Sequence, residues 1–218
     1  KPIHDKVEEE SQRDRILDFL SAAGKISTLL LAVTPLPTYL GVWNKPEMID
    51  LESQIYIVWL LALEYTLQLD MDSYAFKTQN IDLAIICVIP LVITVILTTI
   101  YLSVIPKTEH IQRFFATVLI SQIFNFDLLP MSLCGTLGTL TSILTSGISL
   151  TYLPEIIKTR DVSGINLLLT SMSVLNYIIW TLYACVKNDP FMTISQGLGF
   201  FFNMIMVMFY YWANGKIT

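Results

Sequence analysis

The chain has 218 residues, 54% of them hydrophobic and 14% charged, with a mean hydropathy of +0.60. An ordinary soluble domain has about 45–50% apolar and roughly 25% charged residues, so the composition argues against a freely soluble enzyme and for an all-α membrane protein. The net charge of −5, with Asp5, Glu8, Glu9, Glu10, Asp14 and Asp18 crowded at the start, argues against nucleic acid as a partner.

The chain opens without Met and without a short basic-then-apolar leader, as expected of a processed or trimmed end. Residues 1–25 form an acidic, amphipathic N-terminal tail. Within it Ile16, Leu17, Phe19 and Leu20 stand against Arg13, Asp14, Arg15 and Asp18, which suits either a solvated leader or a short helix lying on a surface. Lys25, at the mouth of the first apolar run, has a stem long enough to carry its charge to headgroup level.

Seven apolar stretches follow, at about 26–43, 55–69, 83–105, 114–130, 136–157, 166–186 and 194–212. Seven crossings put the two ends on opposite sides. Lys45, Lys107, Arg113, Lys158, Arg160 and Lys216 fall on one side and Lys77 and Lys187 on the other, which places the C-terminus in the cytosol or its equivalent. Arg13, Arg15 and Lys25 count against that orientation.

Three features inside these stretches carry polar chemistry. Glu64 is an intramembrane acid with no basic residue in its own span, open to proton coupling, a buried polar contact or an interface role. Asp82 and Asp127 lie near span ends, where helix capping or hydration satisfies them. Cys87, Cys134 and Cys185 are odd in number and widely spaced, so they read as small buried hydrophobes rather than as a disulfide framework or a metal knuckle.

The two ends of the chain share an order of features. Pro35-Leu36-Pro37-Thr38 closes one span, Tyr65 sits in the next and Gln79-Asn80-Ile81-Asp82 opens a third. Later Tyr152-Leu153-Pro154-Glu155 closes a span, Trp180 sits in the next, and Ser195-Gln196-Gly197-Leu198-Gly199 opens the last. This predicts a first three-helix repeat over 26–105, a linker helix over 106–135 and a second repeat over 136–218. A three-span unit ends on the side opposite its start, so the extra crossing makes the two repeats parallel, with a cavity between them near the bilayer midplane.

At the residue level the second half resembles a known family. Leu153-Pro154-Glu155-Ile156-Ile157-Lys158-Thr159 and Val162-Ser163-Gly164-Ile165 resemble the proline-glutamine loop motif. Asn176-Tyr177-Ile178-Ile179-Trp180-Thr181-Leu182-Tyr183, Lys187-Asn188-Asp189 and Gly197-Leu198-Gly199-Phe200 are similar to the second repeat of SWEET sugar transporters. SWEETs are an established example of parallel repeats. The resemblance implies facilitative transport of mono- or disaccharides with no cofactor, through a site lined by an aromatic and an amide from each repeat. By position these are Trp180 and Gln196 from the second repeat and Tyr65 and Asn80 from the first, with Asn176 on the same face as Trp180.

Such a set can recognise a sugar: an aromatic face packs on the apolar face of a pyranose, and a carboxamide offers two donors and an acceptor to its hydroxyls. Pro35 and Pro154 are the expected hinges. The departures are Gln196 where the family has Asn, Tyr65 in place of Trp, and Ser149, Asp50 and Asn166 near the other proline positions. Thr145, Ser146, Gly147, Ser149, Thr151 and the glycines at 197 and 199 read as close-packing residues.

Enzyme chemistry is not expected. His4 and His110 lie apart and outside the spans, and neither a Gly-x-Ser-x-Gly nor a phosphate-binding Gly-Lys-Ser/Thr sequence occurs. Two functions remain: a carrier whose partners are a small sugar and the bilayer, or a transport-inactive relative serving as a subunit of a larger membrane complex. The eroded first repeat, the acidic tail and Glu64 motivate the second. A proline-glutamine loop exporter of amino acids fits Leu153-Pro154-Glu155 but not the match from Trp180 to Phe200. The resemblance points to a plasma membrane or endomembrane, the subunit reading to the mitochondrial inner membrane, and homo-oligomers suit either.

Overall fold

In the computed structural model the described residues are 3–34, 74–75, 77–79, 81–82, 84, 88, 92–93, 95–96, 130–163 and 165–215. They form helices α1 (Ile3–Val33), α2 (Met131–Gly147), α3 (Leu153–Thr159), α4 (Leu167–Lys187) and α5 (Pro190–Ala213), with a tighter 3-10 stretch, Ile148–Tyr152, between α2 and α3. Four segments of the described residues are long and apolar enough to cross a membrane: Glu10–Val33, Met131–Thr159, Leu167–Lys187 and Pro190–Ala213.

The predicted spans over 136–157, 166–186 and 194–212 correspond to these last three segments. The N-terminal tail is helical from Ile3 onward. No break separates it from the first span, and α1 runs unbroken from Ile3 through the boundary placed after Lys25. Nothing in that stretch interrupts a helix, since Pro2 precedes it and Gly24 is a single glycine that packing can hold helical.

Local chemistry sets the ends of α4 and α5. Asn166 caps α4, its Oδ1 accepting from the Leu169 N–H at 3.1 Å, and Asp189 caps α5 by accepting from the Met192 N–H at 3.0 Å. Between the helices Asn188 takes a left-handed conformation (φ 61°) and Pro190 begins α5 in the turn where a missing N–H costs nothing. The short turn lays α4 and α5 side by side, the most extensive helix contact among the described elements; α1 packs on α4 and α2 on α5.

These contacts are made through small residues. The buried side of α2 is a stripe of Cys134, Gly135, Gly138, Thr139, Ser142 and Ser146 at helical spacing. Thr136, Thr141 and Thr145 return their hydroxyls to carbonyls one turn earlier, which hides the polarity of a threonine-rich span. At Gly199 a Cβ would stand 2.5 Å from the Tyr177 ring, so only glycine admits that ring, whose hydroxyl reaches Ser146 at 2.9 Å. Leu140, Leu144, Leu182, Phe201 and Met208 point outward, as apolar side chains facing lipid would.

Pro154, an expected hinge, lies in the first turn of α3 directly after the 3-10 stretch, where no helical hydrogen bond is lost. Pro35 lies outside the described residues. Beyond α3, Arg160 turns left-handed (φ 56°) and its guanidinium sits 4.6 Å over the Trp212 ring, tying this end to the far end of α5. The Asp161 carboxylate accepts from the Ser163 N–H at 2.8 Å, a bond that holds its pKa below the ordinary aspartate value.

Candidate functional site

Asn176 lies at the middle of α4, roughly 15 Å from each end at 1.5 Å per residue. Trp180 is one turn nearer the C-terminal end, and both side chains face α1. The helices run antiparallel: Arg13 donates to the Val186 carbonyl near the end of α4, while Ser27 and Thr28 meet Asn176 at its centre.

At this seam the indole is sealed. Trp180 is 1% exposed; its Nε1–H donates to Thr28 Oγ1 at 3.0 Å, its ring meets Tyr183 edge-on with centroids 5.3 Å apart, and Gly24 packs on its six-membered ring. An indole N–H is a donor only and needs a partner when buried. Thr28 is that partner, and its own proton goes to Asn176 Oδ1 at 2.9 Å. Ser27 also lies 2.8 Å from Asn176 Oδ1 and 2.9 Å from the Gly24 carbonyl, so its single proton has two acceptors.

The carboxamide of Asn176 thus has its oxygen anchored from α1. Among the described residues its nitrogen has no acceptor, although the residue is only 8% exposed. The Gln196 side chain, half-buried on α5, makes no hydrogen bond among the described residues. Of the expected site residues the structure therefore joins Trp180 and Asn176 through α1 and leaves Gln196 separate. Tyr65, Asn80 and Glu64 lie outside the described residues.

One turn from Trp180 toward the end of α4 is a polar cluster. Lys25 donates to Asp82 Oδ1 at 2.6 Å, Tyr183 donates to Asp82 Oδ2 at 3.1 Å, and Lys187 donates to the Tyr183 hydroxyl at 3.1 Å. Lys25 and Asp82 thus form an ion pair, with both side chains about one-third exposed. Beside it Tyr74 donates to Asp189 at 3.2 Å, so each tyrosine reaches an aspartate from the other half of the chain. Cys134 is fully buried, with Lys77 Nζ 3.4 Å from its sulfur, whereas Cys185 is exposed and is not the buried hydrophobe expected of it.

Tyr74 stands before the left-handed Gln79 (φ 52°) at the same spacing as Tyr183 before Asn188 (φ 61°).

Gly24, Ser27 and Thr28 carry the seam and were not singled out from the sequence. A signal was present: Ser21, Gly24, Ser27 and Thr28 form a small-residue stripe at helical spacing, and all four are buried.

Comparison with known proteins bears on this arrangement. Residues 132–216 match the sequence profile of a family described as "Sugar efflux transporter for intercellular exchange". The chain is 27% identical over 214 residues to the bidirectional sugar transporter SWEET7b of Oryza sativa subsp. indica, a match covering 90% of this chain and 77% of that protein. It is 24% identical over 199 residues to SWEET15 of the same subspecies, covering 86% and 61%, and 31% identical over 78 residues to SWEET5 of Arabidopsis thaliana, covering 36% and 32%. Among solved structures a eukaryotic SWEET transporter superposes with a TM-score of 0.75 at 16% identity, over 94% of this chain and 99% of that one.

Proposed function

Because the chain belongs to the SWEET family and is an integral membrane protein, we propose that it carries mono- or disaccharides by facilitated, alternating exposure of one central site. The architecture in this reading is seven helices, with two parallel three-helix repeats joined by a linker helix. The shared turn geometry at Gln79 and Asn188 supports the repeat.

The observation that carries the reading is the polar constellation at the centre of α4. An indole, a carboxamide and two hydroxyls meet where hydrocarbon would otherwise be expected, and among the described residues the Asn176 amide nitrogen has no acceptor. Trp180 supplies an apolar ring for a pyranose face; Asn176 and Gln196 supply amides for its hydroxyls. In the register that the turns at Gln79 and Asn188 suggest, Met71 and Cys87 take the first-repeat positions matching Trp180 and Gln196, so recognition is one-sided. The sugar is held mainly by the second repeat, Pro154 with the 3-10 stretch serves as its hinge, and Glu64 is a polar contact rather than a proton carrier.

Flux into proteoliposomes tests this. The purified protein should admit at least one radiolabelled mono- or disaccharide faster than protein-free vesicles do, and Trp180→Ala should abolish the difference. No flux across the panel overturns the reading.

A second reading, a transport-inactive subunit of a larger membrane complex, is favoured by one observation: the sealed environment of Trp180. Migration on a native gel in mild detergent separates the two. Tight comigration with many other proteins supports the subunit, and a small species of one or a few copies supports the carrier.

A further inference from the structure

In the carrier reading Trp180 and Asn176 meet sugar, yet here α1 occupies them. The group in their way is a hydroxyl. Thr28 accepts from the indole N–H at 3.0 Å and donates to the Asn176 carbonyl at 2.9 Å, the same pair of bonds that a hydroxyl on a sugar ring makes with a tryptophan edge and an asparagine. Ser27 does not duplicate it, having no bond to Trp180 and a proton that the Gly24 carbonyl also attracts. Gly24 lets α1 approach closely enough for the bonds to form.

We propose that Thr28 is an affinity-setting residue of the sugar site: its hydroxyl holds the place of a sugar hydroxyl between Trp180 and Asn176, and sugar binds by displacing it. The inference rests on the carrier reading. It explains why the site can stay dry when empty: without Thr28 the indole N–H would have no partner in an apolar interior, and Asn176 Oδ1 would keep only the proton that Ser27 shares with the Gly24 carbonyl. Sugar then exchanges one set of hydrogen bonds for an equivalent set, which keeps binding weak enough for release.

The test is sugar binding to the full chain in detergent, with radiolabelled glucose and sucrose as probes, for the wild type, Thr28→Val and Thr28→Ser. Valine has nearly the shape of threonine without the hydroxyl, so removing the internal competitor should tighten binding about three- to tenfold, the worth of one net hydrogen bond. Thr28→Ser should stay nearer the wild type than Thr28→Val. A hydroxyl that merely supports the fold, or one that orients the site, gives unchanged or weaker binding in a folded Thr28→Val protein, and either result overturns the proposal.

A second measurement does not depend on that variant folding. The same binding assay on Thr28→Ala, whose smaller side chain also lacks the hydroxyl, should give tighter sugar binding than the wild type; unchanged or weaker binding there overturns the proposal. Absence of binding by the wild-type protein overturns the carrier reading and this inference together, whereas wild-type binding that Thr28→Val leaves unaltered overturns the inference alone.

Discussion

Gly24→Ala should separate α1 from α4. The added Cβ would lie 2.4, 2.5 and 2.8 Å from three atoms of the Trp180 ring, where carbon atoms prefer about 3.5–4.0 Å. The ring cannot yield, being fully buried against Tyr183 and held by its N–H bond to Thr28. α1 must therefore retreat by about 1 Å, which stretches the 3.0 Å Trp180–Thr28 bond past hydrogen-bonding range. Overpacking costs about 1–3 kcal/mol and the lost bond about 1 kcal/mol. The better helix propensity of Ala returns about 1 kcal/mol, so the net effect is a loss of about 1–3 kcal/mol. Melting of the purified protein in detergent reads this as a lowered transition temperature. In a Trp180→Ala background the clash is gone, and Gly24→Ala should be neutral or stabilising. Additive effects of the two substitutions, within about 0.5 kcal/mol, would refute the reasoning.

Further expectations concern the neighbouring elements. Lys25→Met leaves Asp82 without its ion-pair partner and should destabilise by about 1–2 kcal/mol, less than the 3–5 kcal/mol of a fully buried pair because both side chains are about one-third exposed. Lys25→Met with Asp82→Asn should recover most of the melting temperature, and no recovery contradicts the pairing. Gly199→Ala should lower the melting temperature because its Cβ meets the Tyr177 ring at 2.5 Å, while Gly197→Ala, whose nearest neighbour is 3.9 Å away, should be neutral or stabilising. Asp161, held low by the Ser163 N–H, gives an order to its loop that is present at neutral pH and lost as pH falls through its depressed pKa. A carboxyl NMR titration should place its midpoint below the ordinary aspartate value, and a midpoint at or above that value contradicts the bond.

The second half of the chain was legible because its signals are local. Apolar runs end at Lys187-Asn188-Asp189-Pro190 and at Lys158 to Ser163, and the helices end there too. Asn176 and Trp180 could be placed on one face because helical spacing fixes it. What they face could not be read, since the partner is α1, far away in sequence, and only the fold brings Thr28 to Trp180. The same limit applied to Lys25 and Asp82, whose pairing joins residues 57 positions apart in the sequence. The left-handed turns at Gln79 and Asn188 were not legible either, because they leave only a weak mark in residue type.

Counterflow in proteoliposomes tests most directly whether a sugar alternates across the α1–α4 seam. Vesicles preloaded with unlabelled sugar should take up labelled sugar faster than empty vesicles, and Trp180→Ala should remove the acceleration. Uptake indistinguishable from that of protein-free vesicles, with or without preloading, would contradict it.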